Sequence, residues 1–514
     1  MTAGLVAAAD RDDRRTIAAR ELPDCARRLL AEGFRLALVA GHDDTGPGAG
    51  PDAGLRAVYL FTRAATADTP DRRVELHVPL DAARPTVPTL AGLSFPAGRF
   101  ERELRDLFGI VPTGHPLPRR LVRHFHWPAG WYPMRRSAGA PPEFAEVDGP
   151  YPFRTVEGTG VYEIPVGPVH AGMIGPGHFR FSVVGETIVK LKARLWFTHR
   201  GVEKLFEGRR PADAVRLAER IAGDTTVGHT LAFCRAVEDA AGIAVPPDAA
   251  RLRGIVLELE RLHNHVADLG ALCTDVGHGI LGVHALRVRE GLLRVNDAVT
   301  GHRLLRGAVH PGGAALAALP DLGALARIGR DVDEIVGLAL HHSVVLDRFT
   351  GTAVLGAEQA ADLGVLGYVA RASGLRVDAR QDHPWLPEPV PAVTHTRTDG
   401  DVLSRFVVRA EEIAASLRTI TTLATALDGR RSATAPPAPA ARPARSGVGI
   451  VEAWRGTLVH RVETAGDGSL TRVKVVDPSF LTWPALPVAL ADTIVPDFPL
   501  VNKSFNLSYP GNDL

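Results

Sequence analysis

From Pro211 to about Leu427 the apolar residues of this chain recur with the period of a helix, and that run limits the possible folds more than any other feature. Leu252, Ile255, Val256, Leu259, Leu262, Val266 and Leu269 form one stripe and similar stripes follow it, so the spacing predicts a helix bundle at the core of a large domain. The period changes on both sides. Upstream, a helix predicted in residues 15–40 (TIAARELPDCARRLLAEGF) runs into RLALVA, and AVYLFTR and VELHVPL add alternating strands, which predicts a small α/β domain over residues 1–136. It closes with an amphipathic helix in FERELRDLFGIVPTGHP, stopped by Gly109 and Pro112, and with the basic, aromatic segment RRLVRHFHWPAGWYPMRR. Residues 137–158 are rich in Pro, Gly and Ala and read as a linker to a second domain, 159–514.

The second domain begins with VYEIPVGPVHAGMIGPGHFRFSVVGETIVKLKARL. It alternates on both sides of a Gly- and Pro-rich turn, which predicts a β-hairpin whose loop presents His170 and His178. Residues 430–447, RRSATAPPAPAARPARSG, predict an exposed, extended loop. VEAWRGTLVHRVETAGDGSLTRVKVV returns to strand alternation around a GDG turn, and Phe505, Leu507 and Tyr509 predict that the polar tail docks inward. The expected class is α+β: a small N-terminal α/β domain, then a large, mainly helical domain with an N-terminal β-hairpin and C-terminal strands.

With 514 residues, 45% of them hydrophobic, the chain is long enough to bury two cores. Fifty-nine Lys and Arg face 58 Asp and Glu, a formal charge of +1, so no global positive field would draw a phosphate backbone and nucleic acid is not an expected partner. Three cysteines, Cys25, Cys234 and Cys273, supply neither a disulfide framework nor a four-thiolate metal site, and they fit a reducing cytoplasm. No stretch approaches the roughly 20 uninterrupted apolar residues of a membrane span. The start MTAGLVAAADRDDRR is too short an apolar run for an export signal, so a cytoplasmic chain with no direct membrane span is expected. No Gly-x-Gly-x-x-Gly follows a strand and opens a helix, so no nicotinamide site is expected either.

Several motifs carry a family resemblance. ERELRDLFGIVPTGHPLPRR resembles the end of the small hydrophilic domain that partners the quinone-site subunit of respiratory complex I. GPVHAGMIGPGHFRF, THRGVEKLFEGR, ERLHNHVADLGALCTDVGHG, GHRLLRGAVHPGG and DPSFLTWPAL resemble motifs of that large subunit in the same order, so the likeness spans nearly the whole chain. The fused arrangement, with GHRLLRGAVHPGG and NKSFNLSYPGNDL, more closely resembles the large subunits of energy-converting nickel–iron hydrogenases of the hydrogenase-four and formate-hydrogenlyase type. The resemblance implies a subunit of a membrane-associated complex, peripheral on the inner face of the cell membrane. Its implied partners are a small iron–sulfur subunit, a ferredoxin-like subunit and antiporter-like membrane subunits. Electrons would arrive from an iron–sulfur cluster in a partner, quinone is a candidate acceptor, and electron transfer would be coupled to ion translocation.

A nickel–iron centre is held by two Cys-x-x-Cys pairs, because soft metals want soft, anionic sulfur. The resemblance puts the first pair in ERIAGDTTVGH at Ala222 and Thr225, and the second in NLSYPGN at Ser508 and Gly511. Methyl, hydroxyl and hydrogen do not replace thiolates, so no metal is expected in this chain. Nor does the sequence continue past that tail into an extension of the kind nickel-inserting proteases remove.

The resemblance further implies a quinone head-group cavity between a histidine on the hairpin loop and a tyrosine, with an aspartate tuning the histidine. His178 is the first match to that histidine and His170 the second, and Asp275 falls on the aspartate. The tyrosine position is Ala222, which can neither donate a hydrogen bond nor deliver a proton. Asp224 is the candidate proton carrier in its place, and Thr225 completes the lining. The charged group His199, Arg200, Glu203 and Lys204, together with Arg180, is a candidate proton path or interface with the iron–sulfur subunit.

Each residue also has a plain structural reading. His178 can cap a turn, Asp275 can cap a helix, and the charged group can be surface ion pairs. His263 and His265 lie two apart on a helix and point to different faces, so one is expected to pack and the other to be solvated. The segment RRLVRHFHWPAGWYPMRR reads as a strap between subunits rather than an RNA or lipid surface. Two functions follow: a redox subunit whose chemistry drives ion translocation, or a redox-inactive, structural pseudo-hydrogenase, which the alanine at position 222 favours.

Overall fold

The computed structural model of the chain describes residues 12–45, 54–144, 153–169, 175–390, 397–435 and 445–514. They pack as two units, Met1–Arg154 and Thr155–Leu514, and the class is α+β.

In the first unit the strands Arg35–Asp43 and Leu55–Arg63 are buried along almost their whole length. With Arg72–Leu80 they form an antiparallel sheet, to which Asp12–Thr16 adds a parallel edge beside Arg72–Leu80. The helix expected near residue 15 therefore starts later, at Leu22, and runs to Ala31. Pro23 explains the shift. Its missing N–H suits only a first turn, which leaves Asp12–Thr16 to pair as a strand. The helix Phe95–Phe108 ends where expected, at Gly109, whose φ of 71° is a left-handed conformation glycine adopts without strain.

The second unit opens with three antiparallel strands, Val161–Val166, His178–Val184 and Thr187–Arg194, rather than a two-stranded hairpin. The second reversal is the tight turn at Gly185-Glu186, which the alternation on either side of the longer turn conceals. His178 is accordingly the first residue of a strand, opposite Arg194, and not part of the loop. His170 lies outside the described residues.

The central helix Pro247–Asp275 is the axis of this unit and packs against the helices Thr226–Ala241, Gly279–Thr300 and Val402–Ala426. The seven residues of its predicted stripe are at most 1% exposed, and each contributes on the order of 1.5–3 kcal/mol by burial. Its other faces are buried as well, and they carry Glu258, Glu260, Arg261, His263, His265 and Asp268. No described helix is long and apolar enough to cross a membrane.

The stretch 430–447 is not one loop. Ser432–Thr434 pairs with Gly313–Ala315, and a strand begins at Arg445 because its antiparallel partner extends the ladder to Thr464; residues 436–444 lie outside the described residues. The strands Arg445–Ala453, Gly456–Thr464 and Leu470–Val476 form a meander against the helix Thr226–Ala241. Contact there is backbone to backbone: a Cβ on Gly449 would lie 2.0 Å from the carbonyl oxygen of Ala232, and one on Gly447 2.2 Å from the amide nitrogen of Ala240. The tail docks inward, with Phe505, Leu507 and Tyr509 all buried.

Because neither backbone can retreat, Gly449→Ala is expected to destabilise this unit by about 3 kcal/mol. Gly466→Ala, where nothing stands within 4 Å, should stay within about 0.5 kcal/mol of the parent in the same urea titrations.

Candidate functional site

Four segments far apart in sequence converge on the end of the chain. Arg200 donates to the carbonyls of Ile221 (2.7 Å), Arg220 (3.2 Å) and Pro510 (3.3 Å), tying the segment before the helix Thr226–Ala241 to the last helix, Tyr509–Asp513. His199 is half-buried with its Nδ1 2.7 Å from the Asp513 carbonyl, and desolvation lowers its pKa. Thr198 donates through its amide and its hydroxyl to the Asp513 carboxylate.

Ala222, Thr225, Ser508 and Gly511 are all buried within this region. The Ser508 hydroxyl accepts the Gly511 amide at 2.9 Å and so caps the last helix, while the Ser508 amide donates to the Ser479 hydroxyl at 2.9 Å. The Thr225 hydroxyl donates to Asp224 at 3.0 Å and accepts from Trp454 Nε1 at 3.1 Å. A Cβ on Gly511 would stand 2.4 Å from Asp477 Oδ2, so a carboxylate fills the space a side chain there would need.

Asp477 has two tasks. Its Oδ1 accepts the Ser479 amide at 2.8 Å, capping the short helix Pro478–Thr482, and its Oδ2 lies 3.1 Å from His229 Nε2. The other ring nitrogen of His229 lies 3.1 Å from His460 Nε2, making a buried Asp477–His229–His460 row. Burial opposes the charge of Asp477, but His229 and Arg455 outweigh it and hold the carboxyl below its usual range. Burial pushes His460 far down, so its imidazole is neutral.

Asp224 is half-buried and held by Arg455 through two parallel bonds of 2.8 and 2.7 Å. Burial again works against the charge and the guanidinium overcomes it, so Asp224 is ionised at neutral pH. Its proton affinity is therefore low for a carrier. The opposite holds for Glu260, which sequence reasoning missed. It is 1% exposed, and its two oxygens accept the amides of Val227 (2.6 Å) and Gly228 (3.0 Å). Desolvation raises its pKa to about 8 in spite of those bonds. The signal was the density of titratable groups in ELERLHNHVAD, too many for one solvated face of a packed helix.

Asp275 ends the central helix and pairs with Lys503 at 2.5 Å, while its second oxygen is buried without a partner among the described residues. Its partner is thus a lysine and not His178, whose Nδ1 lies 3.3 Å from the Gly167 carbonyl. The turn before His178 is nevertheless close to the last helix, since Cβ atoms on Gly175 and Gly177 would meet the Tyr509 side chain at 2.7 and 3.0 Å. Tyr509 in turn stacks edge-on with Trp483, ring centres 4.9 Å apart.

The charged group divides. Glu203 is buried between Arg472 (2.7 Å) and Lys474 (3.1 Å), which outweigh burial and bring its pKa down to about 2. Lys204 faces solvent and pairs with Glu207, and Arg180, one-third exposed, pairs with Glu163. His263 and His265 are both buried, at 2% and 0% exposure, which corrects the expectation that one is solvated: the bundle covers both faces. Burial lowers each to about 4. Burial also raises the thiols of Cys234 and Cys273, the latter to about 12, so neither is a thiolate.

Three family models match the chain: the 30 kDa subunit of respiratory-chain NADH dehydrogenase over residues 15–143, nickel-dependent hydrogenase over 200–273, and the 49 kDa subunit of respiratory-chain NADH dehydrogenase over 275–446. This order defines a fused subunit of the complex I and hydrogenase class. Formate hydrogenlyase subunit 5 of Escherichia coli (strain K12) is 33% identical over 86% of this chain and 79% of its own length. Hydrogenase-4 component G of the same organism is 34% identical over 80% and 73%, and the carbon monoxide-induced hydrogenase of Rhodospirillum rubrum 32% identical over 67% and 97%. The chain belongs to this family of hydrogenase-like large subunits related to complex I. In fold it is similar to a chain of the membrane-bound sulfane sulfur reductase, an archaeal respiratory membrane complex, with a TM-score of 0.63 and 24% identity over 69% of this chain and 98% of that one.

Glu260 sets a pH signature. Its folded pKa lies above the unfolded value, so the folded state holds the extra proton between pH ~4.5 and ~8 and stability falls as pH rises through that window. Relative to Glu260→Gln, the parent should lose about 1 kcal/mol per pH unit there, read from urea midpoints. A protonated-carboxyl infrared band at neutral pH, missing in the variant, checks the assignment.

Proposed function

We propose that this chain is the hydrogenase-like large subunit of a membrane-associated, complex I-related oxidoreductase that works without a nickel–iron centre. Partner subunits hold it at the membrane surface. Electrons come from an iron–sulfur cluster in a small partner subunit, quinone is the candidate acceptor, and protonation next to the site drives ion-translocating membrane subunits.

The observation that carries the reading is the state of the four positions where the resemblance calls for cysteine. Thr225 and Ser508 spend their hydroxyls on hydrogen bonds, Ala222 has no donor atom, and the Asp477 carboxylate takes the room beside Gly511. Neutral hydroxyls and one carboxylate already paired with histidine do not match the thiolate set such a centre needs. What remains is a polar, hydrogen-bonded centre.

Proton handling is assigned to Glu260, whose raised pKa lets it exchange protons near neutral pH, with Asp224 as the fixed charge beside it. His178 and Asp275 are assigned to the acceptor side. The Lys503 ammonium on Asp275 offers a charge that a negative group arriving nearby would displace. His199, Arg200 and Glu203, which brace the last helix and the strand Leu470–Val476, are assigned to holding the site and its partner interface.

The alternative, a redox-inactive structural subunit, draws on the methyl group at Ala222. The two readings part on variants of the intact complex. Asp275→Asn and Glu260→Gln are expected to leave assembly unchanged while lowering ion translocation coupled to electron transfer at least about tenfold. Unchanged coupling in both, with normal assembly, would instead make the chain structural.

A further inference from the structure

A cavity of about 470 Å³ lies between the helix Pro211–Ala218 and the loop before the strand Val309–His310. Arg216, Arg220 and Arg306 line it with a single carboxylate, Glu219, and with His302 and His310. Glu219 is already committed: one oxygen accepts the Gly307 amide at 2.6 Å, which pins the loop, and the other meets Arg220 at 3.3 Å. Among the described residues neither Arg216 nor Arg306 has a carboxylate partner, and the Arg306 Nε is buried with no hydrogen-bond acceptor.

A buried guanidinium nitrogen without an acceptor is costly, and a ligand oxygen would relieve it. The lining carries a net two positive charges, which suits a dianion better than a single carboxylate. Arginine forks match tetrahedral oxyanions, and a phosphate group carries about −1.5 to −2 charges at neutral pH. We infer that this cavity binds a phosphate group, with Arg306 and Arg216 as its direct donors and Glu219 as the residue that holds the loop in place. The phosphate belongs either to a soluble compound or to a lipid headgroup. This inference does not depend on the reading of the redox site.

Calorimetric titration of the full chain with inorganic phosphate, at ionic strength held constant with sodium chloride, tests the site. A saturable one-to-one isotherm is expected, weakened at least about tenfold in Arg216→Gln/Arg306→Gln and unchanged in Arg294→Gln, an exposed arginine elsewhere. If the double variant fails to unfold as the parent does, the exposed single change Arg216→Gln carries the comparison. Sedimentation with phosphatidylcholine vesicles, with and without phosphatidic acid, separates the sources. Binding only to the phosphatidic acid vesicles, lost in the variant, assigns a lipid headgroup, and phosphate binding without vesicle binding assigns a soluble compound. No saturable binding of either probe, or binding that the arginine changes leave untouched, overturns the proposal.

Discussion

Glu412 sits at the middle of the large unit with no solvent contact, and Arg371, His265 and Arg261 all bond to it. From it the pairing spreads through Arg371 to Glu452 and Asp378, through Arg261 to Glu258, and from Asp378 to Arg380. Ion pairs of this kind add little to stability when complete, and removing one partner costs about 3–5 kcal/mol. The helices Pro247–Asp275 and Val402–Ala426 and the strand Arg445–Ala453 are therefore held in one register by charge as well as by apolar packing. Four carboxylates face three arginines, and burial with the nearby Asp378 charge raises Glu452 while Arg371 keeps Glu412 ionised.

The same logic continues toward the candidate site. Arg409 pairs with Asp268 at 3.0 Å, Asn506 bonds the other oxygen of Asp268 at 2.6 Å, and Arg455 donates to the Asn506 carbonyl at 2.5 Å while gripping Asp224. A line of ionic and amide groups thus joins Arg409 in the core of the bundle to the positions where the resemblance calls for cysteine. In a low-dielectric interior such a line responds as a unit when one member changes charge. That is the physical basis for the coupling role proposed for this chain.

Much of this fold was legible because hydrophobic period is a local property. The stripe from Leu252 to Leu269, the glycine stop at 109 and the tail strands are found where alternation and spacing put them. What escaped was non-local. Asp12–Thr16 becomes a strand only because Arg72–Leu80 offers an edge, and residues 445–447 only because Thr464 lies opposite. At the site, the cysteine-poor positions were countable in the sequence, yet nothing local reveals that Asp477 occupies the space beside Gly511 or that Lys503 meets Asp275. Glu260 was missed, and one of the two central-helix histidines was expected in solvent, for one reason: a helix buried on every side removes the solvent that a polar face normally implies.

The account stands on the claim that hydrogen bonds and a carboxylate have replaced a metal cage. Elemental analysis of the purified full chain, expressed with nickel supplied and the maturation machinery present, measures this directly. The account predicts nickel far below one atom per chain; about one tightly held nickel per chain, surviving gel filtration with a chelator, would contradict it.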